Sequence, residues 1–161
     1  GIRVGWGFIP RELVGPLGDQ KSNVDFGAPL LAQRIMATVL NDGHWLEHVD
    51  KLRAVYSKRR NAMLNALSDH LGNIEGCHWH ETKGGLCVWL TLPNHINTGM
   101  QGAFLKSAVA AGVIYVPGEY CFAAQGEPTN HSTIRLTFGV QSAEGIEQGV
   151  RILSEQIKAW Q

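Results

Sequence analysis

Two arginines in this sequence sit in patterns that turn a side chain into an anion receptor. Arg135 lies in Asn130-His131-Ser132-Thr133-Ile134-Arg135-Leu136-Thr137-Phe138. On an alternating strand Thr133, Arg135 and Thr137 share one face, while Ile134, Leu136 and Phe138 point into a core. An arginine held by a rigid strand can meet a carboxylate with two parallel hydrogen bonds. The plainer alternative is an edge-strand arginine paired with a structural acid. Arg3 lies in Gly1-Ile2-Arg3-Val4-Gly5-Trp6. Glycines on both sides let backbone approach a ligand closely, and the planar guanidinium suits a phosphate. Taken alone this motif is weak, because a surface arginine at a strand edge reads the same way.

Two further segments carry less. Cys77-His78-Trp79-His80 has the residue types of a metal site. On a strand, however, His78 and His80 share a face and Cys77 points to the other, and no second Cys/His pair completes a four-ligand set. No metal is expected. Val116-Pro117-Gly118-Glu119-Tyr120-Cys121-Phe122 reads as a sharp turn after a short apolar strand.

The elements that must position these residues follow from periodicity. Residues 2–9 alternate loosely and predict a short strand ending before Pro10. Arg11 to Leu17 predicts one helical turn, stopped by Gly15, Pro16 and Gly18. Lys21 to Pro29 reads as irregular, and Pro29 suits the first turn of a helix to about Leu40. Trp45, His48, Val49, Leu52, Val55, Tyr56, Met63, Leu64 and Leu67 recur at steps of three and four, which predicts an amphipathic helix over 44–71 with Gly72 as its cap. Its basic face, Lys51, Arg53, Lys58 and Arg60, reads as solvated.

Beyond Gly72 the pattern changes to strands. Ile74 to His80 and Leu86 to Leu92 predict a hairpin through Lys83-Gly84-Gly85. Thr98 to Ala111 predicts a helix capped by Gly112. Val113 to Val116 and Thr133 to Phe138 predict two more strands. Ser142 to Trp160 predicts a closing helix with Ser142 as N-cap. The fold class expected is α+β, a small antiparallel or mixed sheet covered by helices.

The 161 residues carry 44% hydrophobic side chains, and 14 Lys and Arg balance 14 Asp and Glu. Such balance gives no field that attracts nucleic acid or an anionic membrane surface. No apolar run approaches the roughly 18 residues of a membrane span, and no secretory signal opens the chain. Three widely spaced cysteines, Cys77, Cys87 and Cys121, do not make a disulfide framework, so a reducing cytoplasm is the expected setting.

In chain order, Gly-Ile-Arg-Val-Gly-Trp, Gly-Gly-Leu-Cys-Val-Trp-Leu, Gly-Val-Ile-Tyr-Val-Pro-Gly and Asn-x-x-x-Ile-Arg-Leu-Thr-Phe together resemble the class I/II aminotransferases of the fold type I pyridoxal-phosphate superfamily. The resemblance covers essentially the whole chain. It is nearest to the branch of aminoadipate-type aminotransferases and the aminotransferase-like domains of certain bacterial regulators. It implies that Arg3 binds the cofactor phosphate and that Arg135 grips the α-carboxylate of the substrate. Ser22-Asn23-Val24-Asp25-Phe26-Gly27-Ala28 is similar, more loosely, to a loop that reaches toward the partner subunit's cofactor, so Ser22 and Asn23 stand as candidate contacts.

The resemblance also places the Schiff-base lysine a few residues before Arg3, where this sequence begins with Gly1. Lys21, Lys51, Lys58, Lys83, Lys106 and Lys158 all stand in other contexts, so no catalytic residue is assigned. The expectation is a C-terminal portion of the enzyme: residues 1–43 a remnant of the α/β large cofactor-binding domain, and 44–161 the small domain. Its parent would transfer an amino group from an amino acid to a 2-oxo acid as a cytoplasmic homodimer using pyridoxal phosphate. The portion alone would be inactive and would hold no cofactor stably. An effector domain of a transcriptional regulator and a non-catalytic interaction module are the alternatives. Decarboxylase and lyase chemistry share both arginines.

Overall fold

A computed structural model describes residues 1–160 apart from 124 and 126–128. It divides into two compact units, Gly1–Leu52 and Arg53–Gln161. The boundary falls inside the third helix.

The first unit holds helices α1 (Arg11–Asp25) and α2 (Leu30–Asn41) and the start of α3 (Trp45–Leu71). Residues 2–9 form no strand, contrary to the sequence reading, because no second strand of this unit offers them a ladder. α1 also differs: it continues through Gly15, Pro16 and Gly18 to Asp25. A proline costs a helix one backbone donor, but the later turns are held locally. Lys21 Nζ meets Asp25 Oδ2 at 2.7 Å, and Ser22 Oγ donates to the Gly18 carbonyl at 2.9 Å. α1 stops only at Phe26, whose φ is 53°, followed by Gly27 at 115°. The segment expected to be irregular therefore contains the last turn of α1. Neither α1 nor α2 has a buried residue.

The second unit holds most of α3, then β1 (His78–Trp79), β2 (Cys87–Thr91), α4 (Ala103–Ala110), β3 (Val116–Pro117), one turn of 3-10 helix (Gly118–Cys121), β4 (Thr133–Thr137) and α5 (Ala143–Ala159). The strands form one antiparallel sheet in the order β1-β2-β4-β3. The fold is α+β, as the periodicity predicts.

Alternation gives the sheet a dry face: Val88, Leu90 and Ile134 are fully enclosed and Leu136 is buried. They share a core with Leu67 and Leu71 of α3, Phe104 of α4, and Ile146, Val150, Leu153 and Ile157 of α5. Burial of each such side chain is worth about 1.5–3 kcal/mol. α5 starts as expected, with Ser142 Oγ accepting from Gly145 N at 3.1 Å.

Three elements are shorter than the pattern predicts, each for a local reason. Ile74 N donates to Leu71 O and Cys77 N to Ile74 O, so turns occupy the first half of the expected strand 74–80. α4 starts at Ala103 because Gly102 N closes a turn onto Gly99 O. Val113 N bonds back to Ala108 O, and pairing of β3 begins only at Val116.

Candidate functional site

β4 is an inner strand, so it holds Arg135 rigidly. Arg135 lies directly opposite Trp89 of β2 and Val116 of β3. Opposed residues of antiparallel strands project from the same face, so the guanidinium rises from the face opposite the core. It is exposed and makes no hydrogen bond or ion pair among the described residues. The structural-acid alternative therefore has no partner here. What remains is a fixed fork of donors with nothing engaged, the arrangement a carboxylate takes in two parallel bonds.

A cleft of about 670 Å³ opens beside β4, where β3 ceases to pair. Ile114, Val116, Val140, Ile146 and Val150 give it apolar walls, and Arg135 is the one charged residue lining it among the described residues. On the other side of Arg135, Trp89 is partly buried, and its indole meets the ring of Phe122 edge-on with centroids 6.0 Å apart.

A polar clasp fixes this end of the sheet. Gly118 lies against β4 so closely that an added Cβ would stand 2.7 Å from the Thr133 carbonyl oxygen, which only glycine avoids. The neighbouring Glu119 accepts from Met100 N through Oε1 at 2.8 Å, and its Oε2 lies 3.1 Å from His131 Nδ1. Buried Thr98 shares its one hydroxyl proton between the carbonyls of His131 and Thr133, each 2.8 Å away, and Tyr115 donates to the Thr98 carbonyl at 3.2 Å. Burial, reinforced by the nearby Glu119 carboxylate, pushes the Tyr115 phenol well above its ordinary range. The phenol therefore stays protonated and keeps donating. Sequence reading missed these residues. Their partners are tens of positions away, and no periodicity marks them.

Arg3, Ser22 and Asn23 belong to the first unit. Arg3 is exposed with φ at 62°, a left-handed conformation uncommon outside glycine, and it too has no partner among the described residues. Its free donors suit a phosphate. Ser22 and Asn23 lie in the final turns of α1 rather than in a loop, and the Ser22 hydroxyl is engaged within that helix. Cys77 is buried while His78 and His80 are exposed. Among the described residues no three His, Cys, Asp or Glu side chains converge as a metal site. Burial pushes the Cys77 thiol up to about 11.

A two-layer α+β module with a carboxylate-ready arginine on an inner strand narrows the class, and sequence comparison identifies it. The family "Aminotransferase class I and II" matches residues 1–153, and the chain belongs to that family. Aromatic-amino-acid aminotransferase 1 of Thermococcus litoralis is 35% identical over 98% of this chain and 36% of its own length. The HTH-type transcriptional regulator YdfD of Bacillus subtilis is 31% identical over 98% of this chain and 31% of its own. Among solved structures, the α-aminoadipate aminotransferase LysN of Thermus thermophilus, complexed with N-(5'-phosphopyridoxyl)-L-leucine, is 29% identical with a TM-score of 0.72 over 92% of this chain and 36% of that one. The chain thus spans about a third of the length of these relatives.

Proposed function

We propose that this chain is the C-terminal part of a pyridoxal-phosphate-dependent aminotransferase, moving an amino group between an amino acid and a 2-oxo acid. The observation that carries the reading is Arg135: rigidly placed, exposed, unengaged, and set in a chain of the aminotransferase family. Amino acid and oxo acid share the α-carboxylate, so one receptor serves both half-reactions and fixes the reacting carbon for each. Arg3 would hold the cofactor phosphate, and bound pyridoxal phosphate would supply the electron sink for proton removal at that carbon. Ser22 and Asn23 remain candidate contacts to a neighbouring subunit's site.

In this reading residues 1–43 are the end of a large cofactor-binding domain, residues 44–161 are the small domain, and the whole works as a cytoplasmic homodimer. No helix among the described residues is long and apolar enough to cross a membrane. The 161 residues alone would neither transaminate nor hold the cofactor. Relatives act, by name, on aromatic amino acids and on 2-aminoadipate, so the family leaves the substrate side chain open.

A second reading, the effector domain of a transcriptional regulator, is favoured by the relatives named as HTH-type regulators. The full-length protein, loaded with pyridoxal phosphate and offered amino acids with 2-oxo acids, decides between them. Amino transfer is the expected result. Cofactor binding without transfer, together with sequence-specific DNA binding, would contradict the enzyme reading and support the regulator.

A further inference from the structure

Resting on the reading of Arg135 as a carboxylate receptor, we infer that Trp89 and Phe122 form the side-chain subsite beside it and select substrates with aromatic or bulky apolar side chains. Trp89 is register-paired with Arg135, so the two side chains stand one strand apart on the same face. Neighbouring strands lie about 4.8 Å apart, so a ligand whose carboxylate sits on Arg135 reaches the indole with its own side chain.

Among the described residues Trp89 lies outside the core of this unit. Val88 and Leu90 enter the core, whereas Trp89 packs outside it against Phe122, itself 37% exposed. The aromatic pair is held in place. Phe122 N bonds to Glu119 O at 3.4 Å, closing the 3-10 turn, and the Glu119 carboxylate is anchored to Met100 N and His131. Aromatic rings favour edge-on and offset contacts, so this pair can take a third ring in the same way.

Charge narrows the choice. On the outer face of β2, β4 and β3 the strand residues besides Arg135 and Trp89 are Cys87, Thr91, Thr133, Thr137 and Val116, so Arg135 is the one fixed cation there. Arg135 is likewise the one charged residue of the adjoining cleft among the described residues. A second carboxylate on the substrate would meet only neutral hydroxyl, amide and apolar groups among these residues, with no second cation to offset its lost hydration. An aromatic or bulky apolar side chain loses nothing and buries its own surface.

The test is an NMR titration of the isotope-labelled chain with phenylpyruvate, pyruvate and 2-oxoglutarate. It follows the Arg135 Nε–H and the Trp89 indole N–H, the latter assigned by its loss in Trp89→Phe. All three ligands should shift Arg135. Phenylpyruvate alone should shift Trp89, and it should bind about two- to tenfold more tightly than pyruvate, the range of an added aromatic contact. Phe122→Ala, at a partly exposed position, should remove that advantage and leave pyruvate binding intact. Arg135 shifts of equal affinity with a silent Trp89, or tighter binding of 2-oxoglutarate, would overturn the aromatic subsite while leaving the carboxylate receptor standing. Silence of Arg135 toward every ligand would overturn the receptor itself.

Discussion

The two units obey the same local rules and reach opposite outcomes. In Gly1–Leu52 the helices are well formed, yet no residue is buried, and Phe8 and Phe26 are 99% and 95% exposed. In Arg53–Gln161 every helix and the long strands surrender one face to a common core. Helix formation is therefore no measure of a packed fold. α1 has an exposed i,i+4 ion pair, worth tenths of a kcal/mol, whereas α5 buries five residues. The apolar residues of α2, Leu30, Leu31, Ile35 and Val39, form a patch that asks for a partner surface.

Core truncation should separate the units most sharply. Phe104 is fully enclosed and touches the rings of Tyr115 and Trp160. Phe104→Ala should lower the unfolding free energy by about 3–5 kcal/mol, whereas Phe8→Ala should change it by no more than about 0.5 kcal/mol. Urea unfolding followed by circular dichroism measures both. Equal losses would mean that the first unit has a core of its own.

The patch on α2 gives a second, smaller effect. The chain should self-associate in sedimentation experiments, and replacing Leu30 and Leu31 with glutamine should weaken that association without moving the unfolding midpoint of the second unit. A chain monomeric at all concentrations, with amides of 1–43 protected from hydrogen exchange as well as those of the core, would break the comparison.

Cys77 reports on the second unit alone. Burial raises its thiol from an ordinary 9.0 to about 11. The folded state thus keeps a proton that the unfolded chain gives up above pH 9. Its contribution to stability is complete below that pH and declines as the pH rises toward 11. At pH 8 alkylation should reach exposed Cys121 well before Cys77. Comparable rates for the two thiols would show that the core opens readily.

Where burial organises the chain, the sequence was legible. The three- and four-residue spacing of α3, the alternation of β2 and β4 and the Ser142 cap all report on a core face. The exposed face of Arg135 followed from the same alternation. Residues 2–9 alternate too, but alternation needs a neighbouring strand to become structure. α1 departs from its sequence pattern because Gly15, Pro16 and Gly18 are strong stop signals, and the exposed Lys21–Asp25 pair is too weak to offset them, so nothing in the sequence marks the helix as continuing. The clasp of Thr98, Glu119 and His131 was invisible, since its bonds join residues 12 to 35 positions apart. Trp89 and Phe122 likewise gain meaning only from strand register and the turn that aims them.

The proposed role of Arg135, receiving the carboxylate common to both substrates, is tested by the kinetics of Arg135→Lys in the full-length protein. Lysine keeps the charge and loses the planar fork. A charge-assisted hydrogen bond of about 1.5–3 kcal/mol corresponds to about ten- to a hundredfold, so kcat/KM should fall by that factor. KM should rise for the amino acid and the 2-oxo acid alike. An unchanged KM for both substrates would contradict the account and reduce Arg135 to a surface residue of the sheet.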